Sequence, residues 1–163
     1  MSDTRSPERR PTLGSPPALP DAEALRVVDG FVAELQQGID QHDAVVYNRH
    51  FAEDVAWGGP FGAAVHGYEP LHAIHRRLQA AGVGGPASRY EVVSVLAPSA
   101  DLVLAHVARR TLDDDGAPLP PSAADAQPFS EMALYVLVRR GEEWWLAAGQ
   151  NTPIRPGGAA PSS

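Results

Sequence analysis

From Asp21 onward, apolar residues recur at alternating steps of three and four: Leu25, Val28, Val32, Leu35 and Ile39. That spacing predicts a one-faced helix with Asp21 as its N-cap and Gly38 loosening its end. Asp40 can cap a second, shorter helix through Ala44, Val45, Tyr47 and Phe51. The run Glu53 to Pro60 then predicts a short strand and a glycine turn at Gly58-Gly59, with Phe61 to His66 returning as a strand that ends at Gly67. Pro70 suits the first turn of a third helix. Its stripe is Leu71, Ile74 and Leu78, and Gly82 to Pro86 stop it.

After Ser88 the pattern changes to that of strands. Tyr90 to Leu96, Leu102 to Leu112, Phe129 to Arg140 and Trp144 to Thr152 are separated by turns and by one long tip, Asp113 to Pro128, which is acidic and then proline-rich. Such a tip can be a lid or a mobile loop. A turn centred on Gly141-Glu142 pairs Arg139 with Trp144, Leu137 with Leu146, Tyr135 with Ala148, Ala133 with Gln150 and Glu131 with Thr152. One face of this hairpin then carries Trp144, Leu146, Ala148, Gln150, Leu137, Tyr135 and Glu131. The other carries Trp145, Ala147, Gly149, Asn151, Val138, Val136, Leu134 and Met132. A solvated face should alternate to polar. Both faces are largely apolar, so both are expected to be covered, one by the helices and the other by a second subunit.

Three helices followed by an antiparallel meander make an α+β layout with helices on one face of the sheet. The chain has 163 residues, enough for one domain. Residues 1–20 and 156–163 are rich in Pro, Ser, Gly and Arg and poor in apolar side chains, so both are expected to be disordered tails flanking a single domain over 21–155. With no cysteine, disulfides, thiolate metal sites and cysteine nucleophiles are excluded. The net charge is −7 and all 13 basic residues are arginine, without a basic stripe, so neither nucleic acid nor an anionic membrane is an expected partner. Arg9-Arg10 is followed by Pro11 and no apolar run, so no targeting signal or membrane span is read, and a cytoplasmic location is expected.

Several local strings resemble the nuclear-transport-factor-2-like (NTF2-like) superfamily, within it the SnoaL-like group, and most closely small accessory proteins of enediyne biosynthesis clusters. They are Phe51-Ala52-Glu53-Asp54-Val55-Ala56-Trp57, Pro60-Phe61-Gly62, His66-Gly67 and Trp144-Trp145-Leu146-Ala147-Ala148-Gly149-Gln150-Asn151-Thr152, in that order over about Asp21 to Thr152. The resemblance implies a cone, in which a strongly curved antiparallel sheet wraps three N-terminal helices packed on its concave face. An apolar pocket is implied inside it, and a homodimer through the outer sheet face. In the superfamily's ketosteroid isomerases a carboxylate base stands just before the Pro of Pro60-Phe61-Gly62. Here that position is Gly59, and the isomerase reaction does not carry over.

Within such a pocket, His66 at the end of the return strand and His106 in the middle of the otherwise apolar strand Leu102 to Leu112 can act as acid or base near neutral pH. Glu131, sharing a face with Tyr135 and Gln150, would have its carboxyl pKa raised by burial there; the alternative places it near the strand end, exposed or paired with Arg109 or Arg110. Trp57, Phe61 and Tyr68 around the glycine turn suit a flat or polyene-like ligand. Glu69, His72 and His75, spaced by three, drift around a helix, so two of the three are expected on a solvated face and no metal site is read. No cofactor motif is present. Three functions follow: a small-molecule-binding accessory factor in secondary metabolism, a cofactor-independent cyclase, isomerase or dehydratase using His66, His106, Glu131 and Tyr135, or a dimeric interaction module with a filled interior. Filling by Trp57, Phe61 and Trp144 would favour the last.

Overall fold

A computed structural model describes residues 12–14, 19–121 and 129–157. Three helices, α1 (Asp21–Gln41), α2 (Ala44–Tyr47) and α3 (Tyr68–Ala81), accompany six strands. These are β1 (Phe51–Gly58), β2 (Ala64–His66), β3 (Ser88–Ser99), β4 (Leu102–Thr111), β5 (Glu131–Arg140) and β6 (Glu143–Pro153). They form one open sheet in the order β2-β1-β6-β5-β4-β3. The layout is the expected α+β one, with a difference. All pairs are antiparallel except β1 with β6, which is parallel, so the sheet is mixed.

The helix α1 buries Ala24, Val28, Phe31, Val32 and Leu35, whereas Leu25 is exposed. The stripe is thus centred one position further round than the sequence spacing suggested. Asp21 and Glu23 in its first turn face the positive end of the helix dipole. The N-cap is Pro20, not Asp21. Gly38 does not loosen the helix. An added Cβ would lie 2.6 Å from the Tyr47 backbone, so glycine lets α2 press onto α1. Asp43, not Asp40, caps α2, its carboxylate accepting from the Val45 and Val46 amides at 2.8 and 3.2 Å. Phe51 opens β1 instead of closing α2. Leu78, expected in the α3 stripe, is exposed, and His75 is buried in its stead.

The core lies between the helices and the face of the sheet they cover, here the concave face. Its sheet side is Val55, Trp57, Val103, Ala105, Val107, Ala133, Tyr135, Leu137 and Leu146. Leu19, within the segment expected to be a tail, is 5% exposed and packs into this core. The other tail positions and the 122–128 part of the long tip lie largely outside the described residues.

The β5–β6 hairpin departs from simple pairing. Arg139 faces Trp144 and Leu137 faces Leu146 as expected, but Val136 then faces Ala148, Tyr135 faces Gly149 and Ala133 faces Asn151. Ala147 is an extra residue that shifts the register by one. Because side chains alternate with period two, one extra residue moves every later side chain to the opposite face. Gly149 and Asn151 come to the concave face, and Ala148 and Gln150 leave it. The β1–β6 ladder is interrupted at the same place, between Phe51 and Ala56.

Candidate functional site on the concave face

The concave face holds two layers. Deep inside is a stack of rings. Phe51 and Trp57 stack at 5.7 Å, Trp57 and Tyr135 at 6.2 Å, and Phe31 meets Tyr135 edge-on at 5.5 Å. Trp57 is 7% exposed and fills the interior. It can lie flat on β6 because Gly149 offers no side chain: an added Cβ there would stand 2.7 Å from the indole and 3.2 Å from Tyr135.

Beside the rings is a polar layer. The hydroxyls of Tyr47 and Tyr90 are 2.9 Å apart. The Arg109 guanidinium donates to Glu131 Oε2 from Nη2 at 2.9 Å and from Nε at 3.1 Å, and from Nη1 to Ser88 Oγ at 3.0 Å. Burial pushes the Tyr90 and Tyr135 phenols well above their ordinary value, with Tyr47 beside each adding to the rise. Burial also raises Tyr47, against the hydrogen bond from Tyr90. Burial pulls Arg109 down, but Glu131 beside it more than compensates and the net shift is upward. All of these groups are therefore held in their usual charge state: neutral phenols and a charged guanidinium neutralised by its carboxylate.

On the other side of the ring stack, Asn48 bridges two histidines of α3. Its Nδ2–H donates to His75 Nδ1 at 2.7 Å, and its Oδ1 accepts from His72 Nδ1–H at 3.0 Å. Burial, and secondarily the nearby His72, lower the His75 pKa to about 4.

The expected site residues do not all meet here. Tyr135 and Trp57 are in the interior, and Glu131 faces it but is committed to Arg109, one of the two alternatives its sequence position left open. His106 points the other way. It pairs across β4–β5 with Leu134, is exposed on the outer sheet face, and lies 3.0 Å from Ser94 Oγ. His66 is exposed on the edge strand β2, where Val65 is the residue that turns inward. Gln150, displaced by the extra residue in β6, is exposed. Tyr68 is half-buried and stacks on His72 at 5.2 Å. Phe61 is 62% exposed at the glycine turn, its ring edge-on to buried Phe129 at 5.4 Å. Trp144 packs on the core from its rim.

Sequence reasoning missed four interior polar residues: Tyr47, Asn48, His75 and Asn151. Asn151 Oδ1 is buried with no hydrogen-bond partner among the described residues. A polar residue at an otherwise apolar strand position was the available signal for Asn151, but the assumed register placed it on the outer face. Among the described residues no group of acidic, histidine or cysteine side chains could hold a metal ion. Nor is any helix among them long and apolar enough to cross a membrane. Two depressions open on the outside instead. One, of about 660 Å³, lies where the β1–β6 ladder breaks and is lined by Arg49, Ala52, Tyr68, Trp145 and Ala147. The other, of about 560 Å³, lies between α1 and β3.

This arrangement of helices on the concave face of an open six-stranded sheet is the NTF2-like, or cystatin-like, fold. The chain is similar to a domain of unknown function with a cystatin-like fold from Nostoc punctiforme, with 18% identity, a TM-score of 0.67, and coverage of 83% of this chain and 80% of that one. It is similar to an NTF2-like protein of unknown function from Pseudomonas putida, with 17% identity, a TM-score of 0.62, and coverage of 82% and 88%. It is also similar to a ketosteroid isomerase-like protein from Erwinia carotovora, with 18% identity, a TM-score of 0.58, and coverage of 82% and 98%. No protein-family model matches the chain, and no curated sequence matches it.

Proposed function

We propose that the chain binds a largely apolar small molecule at the concave face, near Trp57 and Asn151, and serves as an accessory factor in secondary-metabolite biosynthesis of the enediyne or polyketide kind. The observation that carries the binding is Asn151 Oδ1. Leaving a buried acceptor unpaired costs about 1–3 kcal/mol, and native folds seldom do so without a water or a ligand in the place. A hydroxyl or N–H on a flat apolar molecule satisfies this oxygen while its body lies against the rings. The metabolic setting rests on the resemblance of the Phe51–Trp57 and Trp144–Thr152 strings. The cyclase or isomerase alternative loses support, because His66 and His106 face away from Tyr135 and Glu131 is neutralised by Arg109.

A second reading has its own observation. Of the three residues expected to fill the interior of a dimeric interaction module without a ligand, Trp57 is buried there, whereas Phe61 is exposed and Trp144 packs at the rim. In both readings the outer sheet face pairs with a second copy. Leu134 and Leu96 are 38% and 44% exposed there, beside Val136, Val138 and Trp145. The deciding experiment is mass spectrometry of small molecules that co-purify with the native protein. Ligand binding predicts one bound compound per chain in the wild type and its loss in Asn151→Leu. An empty wild type that is still dimeric supports the module.

A further inference from the structure

The depression of about 660 Å³ at the break in the β1–β6 ladder opens away from the concave face, and its volume is within the range of small-molecule sites, about 300–1,000 Å³. It exists because the two strands differ in length there. From Phe51 to Ala56 β1 takes five steps, while β6 takes two, from Leu146 to Ala148. On its other side β1 pairs with β2 only at Ala56, Trp57 and Gly58. Ala52, Glu53 and Asp54 therefore lie in a strand but have no ladder partner on either side. Ala52 and Ala147 are too small to fill the opening, and the half-buried rings of Tyr68 and Trp145 line it. Four charged residues border the same opening: Arg49, Arg140, Glu53 and Asp54. Among the described residues no ion pair joins any two of them. Arg49 reaches Glu34 at 3.9 Å, but Glu34 Oε2 is already held by His50 at 2.6 Å. Arg140 donates to the Arg139 carbonyl at 3.0 Å and faces Glu143 across the turn without an ion pair. The charges are sorted along the cleft. Arg140 is at the β5–β6 turn and Arg49 precedes the Phe51–Leu146 pair, whereas Glu53 and Asp54 follow it, with Glu53 beside Tyr68.

We propose that this cleft binds a short free peptide, about three residues long with an aromatic residue at its centre, its carboxylate at Arg49 and Arg140 and its ammonium at Glu53 and Asp54. It is a second site, independent of the concave-face reading. A strand bulge ends pairing locally and leaves main-chain groups outside the ladder. Ala52 to Asp54 present about 7 Å of such main chain, the span of an extended tripeptide, whose own amides can form the ladder hydrogen bonds that β6 does not. That alternation of donors and acceptors distinguishes a peptide from other dipolar molecules. A guanidinium takes a carboxylate through two N–H donors, which suits the arginine end to a free C-terminus. The central aromatic ring lies between Tyr68 and Trp145. A peptide blocked at either end leaves one end of the cleft without its counter-charge. Val138 and Trp145 belong also to the outer apolar face, so the site is at the rim of the proposed dimer contact.

The test is isothermal titration calorimetry of the full-length protein with three probes: the tripeptide alanyl-tyrosyl-alanine, its C-terminal amide and its N-acetyl derivative. The wild type should bind the free tripeptide about tenfold more tightly than either blocked form, the size of one charge-assisted hydrogen bond. Arg140→Gln should weaken the free tripeptide by a similar factor and leave the amide unchanged. Glu53→Gln should weaken the free tripeptide and leave the N-acetyl form unchanged. Arg140 and Glu53 are exposed, so both variants keep the fold. Ala147→Phe fills the cleft and should abolish binding of all three probes. No binding of any probe by the wild type, equal affinity for the three, or a loss in Arg140→Gln as large for the amide as for the free tripeptide would overturn the proposal. Asn151→Leu should bind the tripeptide as the wild type does, and a loss there would overturn the separate site. Failure of the cleft in these titrations leaves the concave-face reading standing, since that reading is decided by what co-purifies with the wild type and with Asn151→Leu.

Discussion

Gly149→Ala should destabilise the protein, although replacing glycine within a strand by alanine ordinarily stabilises it. The new methyl would stand 2.7 and 2.8 Å from two carbons of the Trp57 indole and 3.2 Å from Tyr135 Cδ1. Neither ring can yield freely, since Trp57 stacks on Phe51 and Tyr135 is held edge-on by Phe31. Overpacking of this kind costs about 1–3 kcal/mol. The entropy gained by removing a glycine from the unfolded chain returns about 0.5–1 kcal/mol. The net loss is about 1–2 kcal/mol, a fall in Tm of about 3–8 °C for a domain of this size. Calorimetry measures it, and tryptophan emission should shift to the red as the Trp57 ring is pushed toward water. Gly30→Ala is the control, because nothing lies within 4 Å of its added Cβ on the exposed side of α1. That change should raise stability by about 0.5–1 kcal/mol. A Gly149→Ala protein with an unchanged or higher Tm and unaltered emission would refute the packing assigned to Trp57.

The pH dependence of folding follows from His75, whose pKa drops from 6.5 in the unfolded chain to about 4 in the fold. Its contribution is complete above about pH 6.5 and is lost as the pH falls toward 4, because the unfolded chain then binds the extra proton. The loss amounts to about 3 kcal/mol, visible as a falling urea midpoint that His75→Gln flattens. Leu19→Ala should cost about 2–4 kcal/mol in chemical denaturation, since Leu19 is in the core, and an equal melting curve would show that the segment does not dock. Val136→Arg places a charge at the centre of the outer apolar face and should convert a dimer into a monomer by sedimentation velocity; a wild type that sediments as a monomer would remove the dimer.

The order of elements, the α+β class and the apolar character of both hairpin faces were legible in the sequence because each depends on local periodicity. So were Trp57 and Tyr135 as interior aromatics. Which face of a strand turns inward was not legible. The β4 alternation separates His106 from Val103, Ala105 and Val107, yet both sets sit in apolar company, and only the packing of the helices decides that His106 is outside.

The register of β6 was likewise undecided, because Ala147 is indistinguishable by composition from a paired residue. Its displacement exchanges Gln150 for Asn151 at the site. The tautomer of His75 depends on Asn48, 27 positions earlier, and its neutral state on burial among the rings of Tyr47, Phe51 and Trp57. Spacing along α3 places His72 and His75 near one another but says nothing of the amide between them. A sequence by itself determines local preference and the amount of apolar surface to be buried. Pairing register, facing and proton position belong to contacts between residues distant in the chain, and those exist only once the sheet has closed over the helices.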